Sequence, residues 1–166
     1  MGNLDGLRAH LKQWKADAEA SATDNATLEH ERAEWIADLA SLMDRLHAWL
    51  REPEREGLLK IHREGTTVTE SKYGTYDVPA MIIQAPGPHS VHVHPVGLDV
   101  IGSAGRVDLD SGPRKARLLR QQSGAWKVAL PSRVSRAILD LDDLSEETFV
   151  SALEHLLLST RSPFAE

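Results

Sequence analysis

From Leu4 the apolar positions alternate at spacings of three and four, through Leu7, Leu11, Trp14 and Ala18, the a/d rhythm of a heptad. Leu28, Trp35, Leu39, Leu42, Leu46 and Trp49 continue the same phase without a slip. Ser21, Asn25 and Arg32 fill the seam between the two groups, and neither Gly nor Pro occurs from Leu7 to Glu52. Two structures fit this pattern. One is a single helix of about 45 residues, roughly 70 Å long, which pairs with a copy of itself and uses Asn25 at an a position to fix register. The other breaks at Ser21-Ala22-Thr23-Asp24-Asn25, whose residues cap helices and form turns, and folds back as a hairpin. The preserved phase favours continuity; the polar middle favours the hairpin.

Ile36, Met43 and Leu50 add a second apolar row to the downstream half, so its buried face is wider than a two-stranded coil needs. That half is expected to pack on a sheet or a further helix. Trp14, Trp35 and Trp49 at d positions read as core side chains. Pro53 and Gly57 end the helix, the first by removing a backbone donor and the second by suiting a left-handed exit.

After Gly57 the pattern changes to period two, with Gly and Pro punctuation every eight or so residues. Strands are expected near 58–63, 66–71, 78–85, 89–95, 98–102, 105–110, 115–121 and 125–130. Connections this short cannot cross a sheet face, so neighbouring strands run antiparallel. Alternation points Leu59 and Ile61, Met81 and Ile83, Val91 and Val93, Val107 and Leu109, and Trp126, Val128 and Leu130 toward the core. A closing helix opens at Ser145 as N-cap with Glu146 and Glu147 in its first turn, and carries one stripe of Phe149, Val150, Leu153, Leu156 and Leu157. The fold class is therefore α+β. A long N-terminal heptad helix or helical hairpin precedes an antiparallel β-meander of about seven to eight strands, curled or barrel-like, and a C-terminal amphipathic helix. Residues 1–56 read as a coiled-coil or dimerisation segment and 57–166 as a sheet domain with its closing helix.

Charge adds a division that the net value of −6 conceals. Residues 1–56 hold 7 Lys+Arg against 12 Asp+Glu, residues 57–136 hold 11 against 6, and residues 137–166 hold 1 against 7. A basic sheet region thus lies between acidic helical ends, which favours association within the chain or a dimer and leaves open a basic face for an anionic partner. With 41% apolar residues in 166, the chain can build a real core. No apolar run is long enough to span a bilayer, and the start lacks the basic and apolar parts of a secretion signal, so no membrane partner is expected. Gly6 stands where a myristoylation motif needs Ser or Thr. The chain has no cysteine, which excludes disulfides, thiolate zinc sites and a cysteine nucleophile, and makes a reducing cytoplasm the expected location.

Two clusters carry candidate chemistry. His92 and His94 share a strand face about 7 Å apart, and Asp108 with Asp110 repeats that relation further on. At one height the four would make a mixed nitrogen and oxygen site for zinc or manganese, and hence a metal-dependent hydrolase. On a solvated sheet face, alternation also yields such pairs with no function. A nuclease of the common restriction type needs an acid and a lysine separated by one residue on the strand after the first acid, whereas that strand here reads Lys-Ala-Arg-Leu-Leu-Arg-Gln. Arg114, Lys115, Arg117, Arg120 and Lys127 form the densest basic group, able to contact phosphates. Aromatics are only 5% of residues, and no exposed rings alternate with these charges to stack bases. No phosphate loop, dinucleotide fingerprint or nucleophile elbow occurs, and Gly102 and Gly105 read as a tight turn.

The expected function is that of a non-catalytic interaction or adaptor protein. It self-associates as a homodimer or docks another protein through Leu4, Leu7, Leu11, Trp14, Leu28, Trp35, Leu39, Leu42, Leu46 and Trp49, with the sheet as recognition surface. No cofactor is expected. Accessory nucleic-acid binding through the basic sheet face is the alternative, followed by the metal-dependent hydrolase.

Overall fold

The computed structural model describes residues 4–130 and 141–158. Its first element is one uninterrupted helix, α1 (Leu4–Trp49). At 1.5 Å per residue it is about 70 Å long. The segment with hairpin character is helical, and nearby hydroxyls turn back onto the helix: Thr23 Oγ1 donates to the Glu19 carbonyl and Thr27 Oγ1 to the Thr23 carbonyl, each at 3.0 Å. Gln13 donates to Asp17 at 2.9 Å one turn on. A short helix α2 (Arg51–Arg55) follows, with Pro53 in its first turns, and Gly57 leaves it at φ +75° as a helix exit requires.

Seven antiparallel strands follow: β1 (Lys60–Glu70), β2 (Gly74–Gln84), β3 (Ser90–Gly97), β4 (Arg106–Asp110), β5 (Lys115–Arg120), β6 (Trp126–Ala129) and β7 (Asp142–Asp143). Each pairs with the next in chain order, giving the expected meander. The sheet is open, with β1 and β7 as its edges, so the barrel-like expectation does not hold. A barrel buries its apolar face by rolling onto itself. Here helices bury that face instead.

Two strand assignments differ from the sequence reading. The expected strands 58–63 and 66–71 are one strand, because Gly65 stays in register opposite Pro79 and the Thr66-Thr67-Val68-Thr69 run is strongly β-forming. The expected strand 98–102 is a loop instead. Gly102 at φ +85° turns the chain between an isolated Val100 to Ser103 bridge, leaving Ile101 fully exposed at the tip. Strand β3 therefore pairs directly with β4. The short β7 escapes sequence reading because Asp142 and Asp143 are poor strand formers; an ion pair of 2.6 Å from Lys127 to Asp143 supports it.

Helix α3 (Glu146–Leu158) starts as expected, with the Thr148 amide donating to Ser145 Oγ at 3.2 Å. Its Phe149, Ala152, Leu153 and Leu156 are buried. One core joins the downstream half of α1 to the sheet and α3. Trp35, Leu39, Leu42, Met43, Leu46 and Leu50 meet Met81, Ile83, Val91, Val93, Val107, Leu109 and Leu118 there. Trp35 lies 5.9 Å from Trp126 and Trp49 lies 5.9 Å from Phe149, centroid to centroid. Leu59, Ile61 and Leu130, expected in the core, pack half-buried at its margin.

Candidate partner-binding surface

The heptad seam divides at Leu28. Downstream, Trp35, Leu39, Leu42 and Leu46 are filled into the core and have no surface left for a partner, while Trp49 packs half-buried against its edge. Upstream the helix projects as an arm. Leu4, Leu7, Leu11 and Trp14 stand in one a/d line, exposed to 64%, 51%, 49% and 63%, with Leu28 half-buried where the arm meets the sheet domain. His10 lies against Trp14, ring centroids 6.4 Å apart, and is the only ring beside it among the described residues.

The arm leaves the sheet domain at a fixed direction. Tyr73 donates to Glu31 Oε2 at 2.5 Å, Arg32 Nη1 donates to the Tyr73 carbonyl at 2.9 Å, and the Arg32 guanidinium lies 5.9 Å from the centre of the Tyr76 ring. Tyr76 in turn donates to Glu70, whose other oxygen accepts the Asp99 amide at 2.8 Å. Burial first, and then the carboxylate neighbours, raise both phenols above their ordinary pKa of 10.0. Lower down, Arg120 Nη2 pairs with Asp38 at 2.6 Å and stacks over Trp35 at 5.5 Å. His47 meets Glu54 Oε1 at 2.9 Å while Glu54 Oε2 accepts the Ile61 amide at 3.2 Å, joining α1, α2 and β1. That contact, chiefly the His47 hydrogen bond, lowers the Glu54 pKa. Sequence reading missed these anchors, since partners such as Glu31 and Tyr73 are far apart in the chain and no local pattern joins them.

The His/Asp cluster lies on the outer sheet face. Direct pairing of β3 with β4 sets His92 opposite Asp110 and His94 opposite Asp108, so the four do share one patch. Asp108 is buried, however, and Arg106 holds both its oxygens, Nε to Oδ1 at 2.8 Å and Nη2 to Oδ2 at 2.9 Å. That hydrogen bonding raises the Arg106 pKa. Asp110 accepts the Gly112 amide at 2.8 Å within its own turn. Among the described residues no group of three or more His, Asp or Glu side chains is placed to hold a metal ion.

The basic group is divided between the two sheet faces. Lys115, Arg117 and Lys127 alternate onto the outer face, Arg114 lies in the turn before β5, and Arg120 points to the opposite face, beneath α1. Lys127 is paired with Asp143, and Lys115 lies 3.9 Å from Asp110. Between α1 and the 98–104 loop lies a recess of about 350 Å³ lined by Glu31, Glu34, Tyr73, Asp99 and Arg120. Its Glu31, Tyr73 and Arg120 are the anchoring residues described above. No helix among the described residues is long and apolar enough to cross a membrane.

Comparison with known protein families, curated proteins and solved structures finds no match.

Proposed function

We propose that the chain is a non-catalytic interaction protein that self-associates, or docks a partner, through its projecting helical arm, with the sheet domain as the platform and recognition surface. The observation that carries this reading is the exposed line of Leu4, Leu7, Leu11 and Trp14. Burying a large apolar side chain is worth about 1.5–3 kcal/mol, so four in a line are a strong drive to association. A helix also draws most of its stability from packing an apolar face, and among the described residues the arm has no such packing.

Light scattering on the full chain tests the reading. A dimer is expected at micromolar concentration, and Leu11→Asp is expected to make it monomeric while leaving the melting temperature of the sheet domain unchanged. A chain that stays monomeric to about 100 μM would refute self-association, and a dimer indifferent to Leu11→Asp would refute the arm as the associating element.

A further inference from the structure

The arm's apolar face is free only from Leu4 to Ala18, and the same heptad face is filled by the sheet from Trp35 onward. A parallel copy would follow that face past Leu28 and meet the sheet of the first chain, while its own seam was covered by its own sheet. An antiparallel copy meets no such obstacle. Resting on the arm as the association element, we infer that its occupant is a second copy of this chain, laid antiparallel so that Leu4 of each helix stands level with Leu28 of the other.

The layer next to the two-fold axis favours this register. Leu7 then stands level with Asn25, Leu11 with Ser21 and Trp14 with Ala18, following the a-to-d layers of antiparallel coils. Next to the two-fold axis, each indole faces an alanine of the other copy, a large side chain opposite a small one. A parallel pair would set Trp14 against Trp14 in one layer and Ala18 against Ala18 in the next, overfilling the first and leaving a gap in the second.

Charge favours the same direction. The arm is net basic at its tip, with Arg8, Lys12 and Lys15 against Asp5, and acidic behind it, with Asp17, Glu19, Asp24 and Glu29. Antiparallel pairing overlaps the basic tip of each copy with the acidic stretch of the other, an attraction between the two halves of the arm as a whole. Parallel pairing sets like against like along the whole arm, a penalty that is largest at low salt.

A distance measurement decides the direction without touching the seam. Ala37 is exposed on the helix, and the chain has no cysteine, so Ala37→Cys carries a single spin label on the full-length protein. In the antiparallel dimer the two labels lie about 60 Å apart along the shared axis. In a parallel dimer, with helix axes about 10 Å apart, they lie within about 30 Å. A dimer by light scattering with a label distance near 60 Å is the expected result. A dimer with the short distance overturns the antiparallel pairing and leaves arm-mediated association standing. A monomer at about 100 μM overturns the antiparallel pairing and self-association through the arm alike.

Discussion

Gly105 lies so close to Trp35 that a Cβ at residue 105 would stand 2.6 Å from Cη2 of the indole and 2.9 Å from Cε3. The glycine also sits at φ +147°, where an L side chain is strained. Helix α1 therefore seats on the sheet by pressing an indole onto bare backbone at the entry to β4. Arg120 stacks over the same ring and pairs with Asp38, so the contact is held from both sides. Gly105→Ala is expected to lower stability by about 2–4 kcal/mol, from overpacking combined with backbone strain. Thermal unfolding should show a drop of roughly 5–15 °C for a chain of this size. A melting temperature within a degree of the parent would mean that the indole does not rest there.

The two halves of one heptad seam should respond oppositely to the same substitution. Leu39 is completely buried between helix and sheet, so Leu39→Asp places an unpaired charge in the core and costs several kcal/mol. Leu11→Asp puts its carboxylate on the exposed arm, where the folded monomer is indifferent to it. Circular dichroism melts and light scattering on both variants separate the effects. Leu39→Asp should lose the cooperative transition and Leu11→Asp should lose only the dimer. Loss of the fold in Leu11→Asp would show that the arm packs within its own chain.

That contrast also marks how far the sequence could be read. Period-two alternation located most of the core, down to Val91, Val93, Val107 and Leu109, because a strand's facing depends only on its neighbours. The heptad phase favoured a single helix while a hairpin stayed open, and it did not show the change of partner at Leu28, since Leu11 and Leu39 occupy the same kind of position and only the tertiary fold distinguishes them. Gly105 looked like a turn residue, and its reason for being glycine lies seventy positions away in Trp35. His92 and Asp110 were legible as candidates. Their pairing depended on the 98–102 segment being a loop, and the engagement of Asp108 by Arg106 depended on burial that spacing does not carry.

Alkaline pH should loosen the junction between arm and sheet domain. In the folded chain Tyr73 and Tyr76 hold their protons above the ordinary phenol pKa of 10.0, because burial and the Glu31 and Glu70 carboxylates disfavour phenolate. The unfolded chain loses these protons from about pH 10. The folded state thus binds more protons in that range, and its stability falls as pH rises. The contribution is complete below pH 10 and is lost progressively above it. Urea unfolding between pH 8 and 11.5 should show this fall, and Tyr76→Phe should flatten it while costing about 1 kcal/mol at pH 8 for the lost hydrogen bond. An unchanged slope in Tyr76→Phe would remove this residue as its source.

The outer sheet face offers a last test, because Arg106 occupies the carboxylate that stands opposite His94. His94 faces Asp108 and His92 faces Asp110 across β3 and β4, a geometry in which two imidazoles and two carboxylates share one patch. Arg106 grips both oxygens of Asp108, and a cation entering there must displace a guanidinium from a buried carboxylate. Arg106→Ala removes that competitor and leaves the carboxylate buried without a partner, at a cost of about 3 kcal/mol in metal-free buffer. Zinc should restore part of this loss. Binding to the folded state alone stabilises by RT ln(1 + [L]/Kd), about 1.4 kcal/mol when zinc stands tenfold above its dissociation constant. Melts with and without 100 μM zinc should therefore show little shift in the parent and a rise of a few degrees in Arg106→Ala, abolished by His94→Ala in the same background. A parent protein that takes up one zinc per chain, and loses it on His92→Ala, would show that Arg106 yields Asp108 to the metal and that the patch is a metal site in its own right.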